Sequence, residues 1–90
     1  MSGLEDPEHP LAVDGVEVVP IADGYVVYDE QRDRVHYLNH TAVLVLEFCT
    51  GENTAEEIVE MLQLAYDLPK PPEEETRECL ARLRAEGLVH

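Results

Sequence analysis

Residues 37–51 read YLNHTAVLVLEFCTG, and the conformation of this stretch decides the fold. Three readings compete for it. The valines and leucines suit a buried strand. Asn39-His40-Thr41 matches a glycosylation sequon, and Asn39 ahead of a long apolar run suits the start of a helix. Spacing separates the first from the last. Ala42, Val45, Leu46 and Cys49 fall at i, i+3, i+4 and i+7, with Leu38 one turn earlier, which is the stripe of an amphipathic helix. A strand here would follow, without a turn, one that already ends at Leu38. Asn39 then stands where a side-chain acceptor meets the first free N–H groups of a helix, and Gly51 stands where one ends. A sequon works on an exposed loop of a secreted chain, and no basic-then-apolar leader opens this sequence, so Asn39 reads as a cap. So many valines give the helix little intrinsic propensity, and it depends on burial.

Working outward, "VEVVP" (16–20), "GYVVYD" (24–29) and "RVHYLN" (34–39) are rich in β-branched and aromatic residues. The polar "DEQRDR" (29–34) linking the last two has hairpin length, so they are expected to pair antiparallel. Downstream, Thr54 and Glu57 form a capping box that opens a second helix, with Ile58, Met61, Leu62, Ala65 and Tyr66 as its apolar stripe. A proline-rich connector leads to a third helix. Pro72 suits its start, Glu73, Glu74 and Glu75 its positive end, and Arg82 and Arg84 its negative end. Thr76, Cys79, Leu80 and Leu83 form its buried stripe, and Gly87 stops it. The expected architecture is α+β and winged helix-turn-helix-like, a three-stranded antiparallel sheet followed by three helices. Residues 1–12 are expected to be a flexible N-terminal tail, and residues 13–90 the domain.

Composition removes several function classes. The 90 residues carry 20 acidic and 6 basic side chains, a formal charge of −14. Nucleic-acid affinity rests on neutralising phosphates, which this chain would repel. No apolar run is long enough to span a membrane, and a cytoplasmic location is expected. Cys49 and Cys79 belong to no C-x-x-C pair and read as buried thiols. The only serine, Ser2, lies in the tail, so neither a hydrolytic triad nor an acyl-carrier arm has a residue to use. His36 and His40 are four apart, but the strand-to-helix boundary between them removes the helical geometry a metal pair would use. No catalytic residue, metal site or cofactor is expected.

Binding remains. A small sheet with a free edge can accept an extended peptide as an added strand. The third strand and third helix hold most of the basic residues, and if adjacent they would place Arg34, Arg77, Arg82 and Arg84 along one groove. Arg77, Ala81 and Arg84 share a helix face, with the small Ala81 leaving room for a partner. The competing reading pairs these arginines with Glu73, Glu74, Glu78 and Glu86 nearby.

From Gly24 onward the chain resembles the PQQ-biosynthesis protein D family, the PqqD-like RiPP recognition elements. The resemblance rests on the hairpin ending in "YLN", then "TAVLVLEFCTGENTAEEIVEML", and finally "CLARLRAEGLV". It implies a non-catalytic domain that holds the leader segment of a ribosomally made precursor peptide for a modifying enzyme. That enzyme would be a radical SAM enzyme or a leader peptidase or cyclase. By position, Arg34, Val35, His36, Tyr37 and Leu38 would form the strand side of the peptide site. Leu80, Leu83 and Arg84, with neighbours such as Arg77 and Ala81, would form the helix side. Two departures stand out: Thr50-Gly51 where the family turn often has Asp before Gly, and a connector without the aspartate that often leads into the last helix. The alternatives are a winged-helix nucleic-acid-binding or regulatory domain, and a subunit that only scaffolds an enzyme. A free sheet edge can also pair with a second copy to give a homodimer.

Overall fold

Short runs of β-branched and aromatic residues can hold a sheet only if one face is covered, and here three helices cover it. The computed structural model describes residues 9–90. Strands β1 (Val16–Ile21), β2 (Gly24–Asp29) and β3 (Arg34–Leu38) are followed by helices α1 (His40–Phe48), α2 (Ala55–Tyr66) and α3 (Glu73–Ala85). The sheet is antiparallel in the order β1-β2-β3, so among the described residues β3 has a strand neighbour on one side only. Val27 and Leu38 project from the sheet into a core completed by Val45 and Leu46 of α1, Ile58 and Leu62 of α2, and Leu80 and Leu83 of α3. The α+β order of three strands followed by three helices is as expected.

The turn between β2 and β3 is built on one carboxylate. Asp29 is enclosed, and its two oxygens accept from the Arg32 backbone N–H at 3.2 Å and from Arg32 Nη1 at 3.0 Å. Burial alone would push this carboxyl up. The hydrogen bonds from Arg32, with the nearby Arg32 and His36 charges, outweigh burial and hold it below its ordinary value of 3.8.

At the other end of β3, the Asn39 side chain accepts from the Ala42 N–H at 2.8 Å and opens α1. The capping box of α2 is complete. Thr54 Oγ1 accepts from the Glu57 N–H at 3.1 Å, and Glu57 Oε1 accepts from the Thr54 N–H at 2.7 Å. The end of α3 is closed by two backbone bonds, Leu88 N–H to the Leu83 carbonyl at 2.9 Å and Gly87 N–H to the Arg84 carbonyl at 3.0 Å. That closure needs a left-handed residue, and Gly87 supplies it with φ +78°. Leu83 and Leu88, which flank the turn, are both fully buried.

Two details differ from the expectation. Of the presumed tail, residues 1–8 (Ser2 among them) lie outside the described residues, and residues 10–12 are not loose. Pro10 is buried, and the backbone of residues 10–12 bonds to Cys49, Gly51 and His90. The reason is that the chain leaving Gly87 returns beside Ala12, and the two segments satisfy each other's polar groups. In α2, Val59 is buried while Ala65 and Tyr66 are exposed, because the last turn runs past the core.

Because the Asp29 pKa is depressed in the fold, its ion pair contributes fully above the ordinary value and is lost as pH falls through the lower folded value. Arg32→Ala leaves the carboxylate enclosed without its partner. The acid-unfolding midpoint, followed by circular dichroism, is expected to move to higher pH; an unchanged midpoint would show that the pair carries no stability.

Candidate functional site

Strand β3 alternates as a half-buried strand should. His36 and Leu38 turn inward, while Val35 and Tyr37 turn outward, with Tyr37 73% exposed. Beside β3, on the side without a strand, a groove of about 490 Å³ separates it from α3. Tyr37, Leu38 and Asn39 form one wall, and Thr41 and Ala42 of α1 extend it. The α3 wall carries Glu75, Glu78, Cys79, Arg82 and Glu86, with Leu83 at its base. A second cleft continues past Arg82 to Gly24 and Tyr25 at the tip of the β1–β2 turn.

Helix periodicity sets the α3 wall. Thr76, Leu80 and Leu83 face the core, and the row Glu75, Glu78, Arg82 and Glu86 runs along one flank of that stripe. Arg77, Ala81 and Arg84 fall on the opposite flank. There Arg77 lies 3.9 Å from Glu73, and Arg84 Nε donates to the His90 carbonyl at 3.2 Å. The groove therefore brings together Tyr37, Leu38 and Leu83 from the residues singled out in the sequence. His36 stands at its end, with Nδ1 3.7 Å from Glu86 Oε1. Leu80 lies in the core, and Arg34 and Val35 are exposed on β3. Of the four arginines expected to share a groove, only Arg82 lines it.

Sequence reasoning missed Glu75 and Cys79 as groove residues and read Glu78 and Glu86 only as partners for arginine. The signal was available in part: a polar row one step around the helix from the Thr76–Leu80–Leu83 stripe. What could not be read was which flank of that stripe would meet β3.

The polar groups at the His36 end are not fully satisfied. Glu86 Oε1 and His36 Nε2 are enclosed without a hydrogen-bond partner among the described residues. The histidines do not meet: His40 Nδ1 lies 3.2 Å from the Tyr25 hydroxyl instead. Burial works against both thiols as nucleophiles. Burial, with a contribution from Cys79, pushes Cys49 up to about 11 against a small opposing effect of Arg84, and its Sγ donates to the Val45 carbonyl. Burial also raises Cys79, with Arg82 opposing and Glu86 reinforcing.

The sequence model of coenzyme PQQ synthesis protein D matches residues 24–89, which include β2, β3 and all three helices. The chain belongs to the PqqD family. Two solved structures share the fold. TbiB1 in complex with the TbiA(beta) leader peptide superposes with a TM-score of 0.69 at 22% identity, covering 89% of this chain and 94% of that one. Lasso peptide synthetase B1 complexed with the leader peptide gives 0.70 at 17% identity, covering 91% and 98%. At these identities the likeness is one of fold. Among curated protein sequences none matches the chain. In this chain β3 and α3 face one another across the groove.

The two thiols provide a direct check of the groove. In the native protein near neutral pH, a small alkylating reagent is expected to modify Cys79 slowly and Cys49 only after unfolding. Mass spectrometry of the peptides distinguishes the two. Equal labelling of both cysteines in the folded protein would contradict the geometry.

Proposed function

We propose that this PqqD-family chain is a RiPP recognition element. It binds the leader segment of a ribosomally synthesised precursor peptide as an added strand along β3 and presents it to a modifying enzyme. The observation that carries this reading is the free edge of β3 bordering a groove walled by α3. An extended peptide there can bond to the β3 main chain while alternate side chains enter the groove. The floor suits apolar side chains, being made of Leu38, Ala42, Cys79 and Leu83.

The sheet has a second edge, β1, and it is less suited to the task. Pro20 interrupts it, and proline supplies no N–H to a ladder. Strand β3 contains no proline, and it alone of the two edges borders α3. The PqqD family membership and the two leader-peptide complexes of the same fold support the reading. No reaction is assigned to the chain itself. Its enzyme partner would be of the radical SAM, peptidase or cyclase type, acting in the cytoplasm where the precursor is made.

The test is an NMR titration with a synthetic peptide spanning the leader of the cognate precursor. Saturating peptide is expected to shift the amides of residues 34–38 and 75–86, and Tyr37→Ala is expected to weaken binding. Amides of both segments left unshifted at saturation would defeat the proposal.

A further inference from the structure

From Glu78 onward the α3 wall of the groove is charged in alternation. Glu78, Arg82 and Glu86 lie at i, i+4 and i+8, so one flank of the helix presents negative, positive and negative in sequence. The three are consecutive in one row, spaced about 6 Å apart by the helix rise. An extended peptide advances about 6.6–6.8 Å for every two residues, and every second side chain points the same way. The two repeats nearly coincide. A strand laid between β3 and α3 would therefore meet Glu78, Arg82 and Glu86 with side chains at positions n, n+2 and n+4.

These charges are available. The Arg82 guanidinium has no hydrogen-bond or ion-pair partner among the described residues, and neither do the Glu75 and Glu78 carboxylates. Glu86 Oε1 is enclosed with only His36 Nδ1 nearby, at 3.7 Å, and no hydrogen bond. The groove follows α3 closely. His36 of β3 stands against Glu86 at one end, and Thr41 of α1 lines it together with Glu75 at the other. From Glu75 to Glu86 the wall is about 16 Å long, enough for a strand of five residues.

Resting on the peptide-binding reading, we infer that the groove reads charge in register: its occupant carries a basic, an acidic and a basic side chain at alternate positions facing α3. Arg82 fixes the central acid, and Glu78 and Glu86 fix the flanking bases. On a chain of net charge −14, a peptide with acids in place of the flanking bases meets repulsion at Glu78 and Glu86. The apolar floor sets affinity without regard to charge, and the alternating wall sets which frame of the peptide is seated.

The test uses a displayed library of random 12-residue peptides, selected in parallel on the full chain and on Arg82→Glu. Arg77→Glu, on the opposite flank, serves as control, and circular dichroism checks that each variant is folded. Peptides from the unmodified chain and from Arg77→Glu are expected to share basic-x-acidic-x-basic, and those from Arg82→Glu to carry a base at the centre. Exchanging the central acid for a base in a selected peptide is expected to weaken binding to the unmodified chain about tenfold and to strengthen it on Arg82→Glu. Groove-binding peptides with no charge pattern, or with the same pattern on both proteins, would overturn the register and leave peptide binding standing. Failure to select any peptide that competes with the leader for the groove would overturn both.

Discussion

The corner at Leu38-Asn39 is the constraint on which the remainder depends. Leu38 is the last strand residue and enters the core, a burial that contributes about 1.5–3 kcal/mol. One residue later the Asn39 side chain takes the Ala42 N–H and starts α1, a cap that contributes about 1 kcal/mol. Strand pairing must stop where the helix begins. Helix α1 then turns its Val45 and Leu46 under the sheet, and α3 packs against it through Leu80 and Leu83. Because α3 is held by that core, it stands beside β3 without covering its edge. A groove is left between a strand with unused backbone groups and a helix with an uncommitted charged flank.

The closing end of α3 keeps that helix in place. The turn at Gly87 buries Leu83 and Leu88 together and sends the chain back beside Ala12. The segment before β1 is thereby tied to both the end of α1 and the C-terminal residues. The N-terminal strand edge is meanwhile interrupted by Pro20, so the sheet offers one edge that can take a full ladder. Edge strands are ordinarily an aggregation hazard. Here the exposed Tyr37, the charged Arg34 and the acidic wall opposite limit what can pair with β3.

Much of this was legible in the sequence, and for identifiable reasons. The strand-to-helix corner was readable because Asn39 and the 3.6-residue spacing after it agree. The capping box was readable because Thr54 and Glu57 are each required by a backbone group. The hairpin was readable from its polar link. Less was legible of the groove. Arg77, Ala81 and Arg84 share a face and carry charge, so they looked like a binding surface. The sequence does not say on which side of the buried stripe β3 will lie, since that depends on how α3 crosses α1. The anchoring of residues 10–12 was hidden for a similar reason: it comes from pairing with Cys49, Gly51 and His90, far away along the chain.

The central claim is that β3 takes a peptide as a fourth strand. Hydrogen–deuterium exchange of the individual β3 amides, with and without the leader of the cognate precursor, tests it most directly. Amides on the outer side of β3 are expected to exchange readily in the free protein and to become strongly protected in the complex, with β1 unchanged. Peptide binding that leaves the β3 amides unprotected, or that protects β1 instead, would contradict the account.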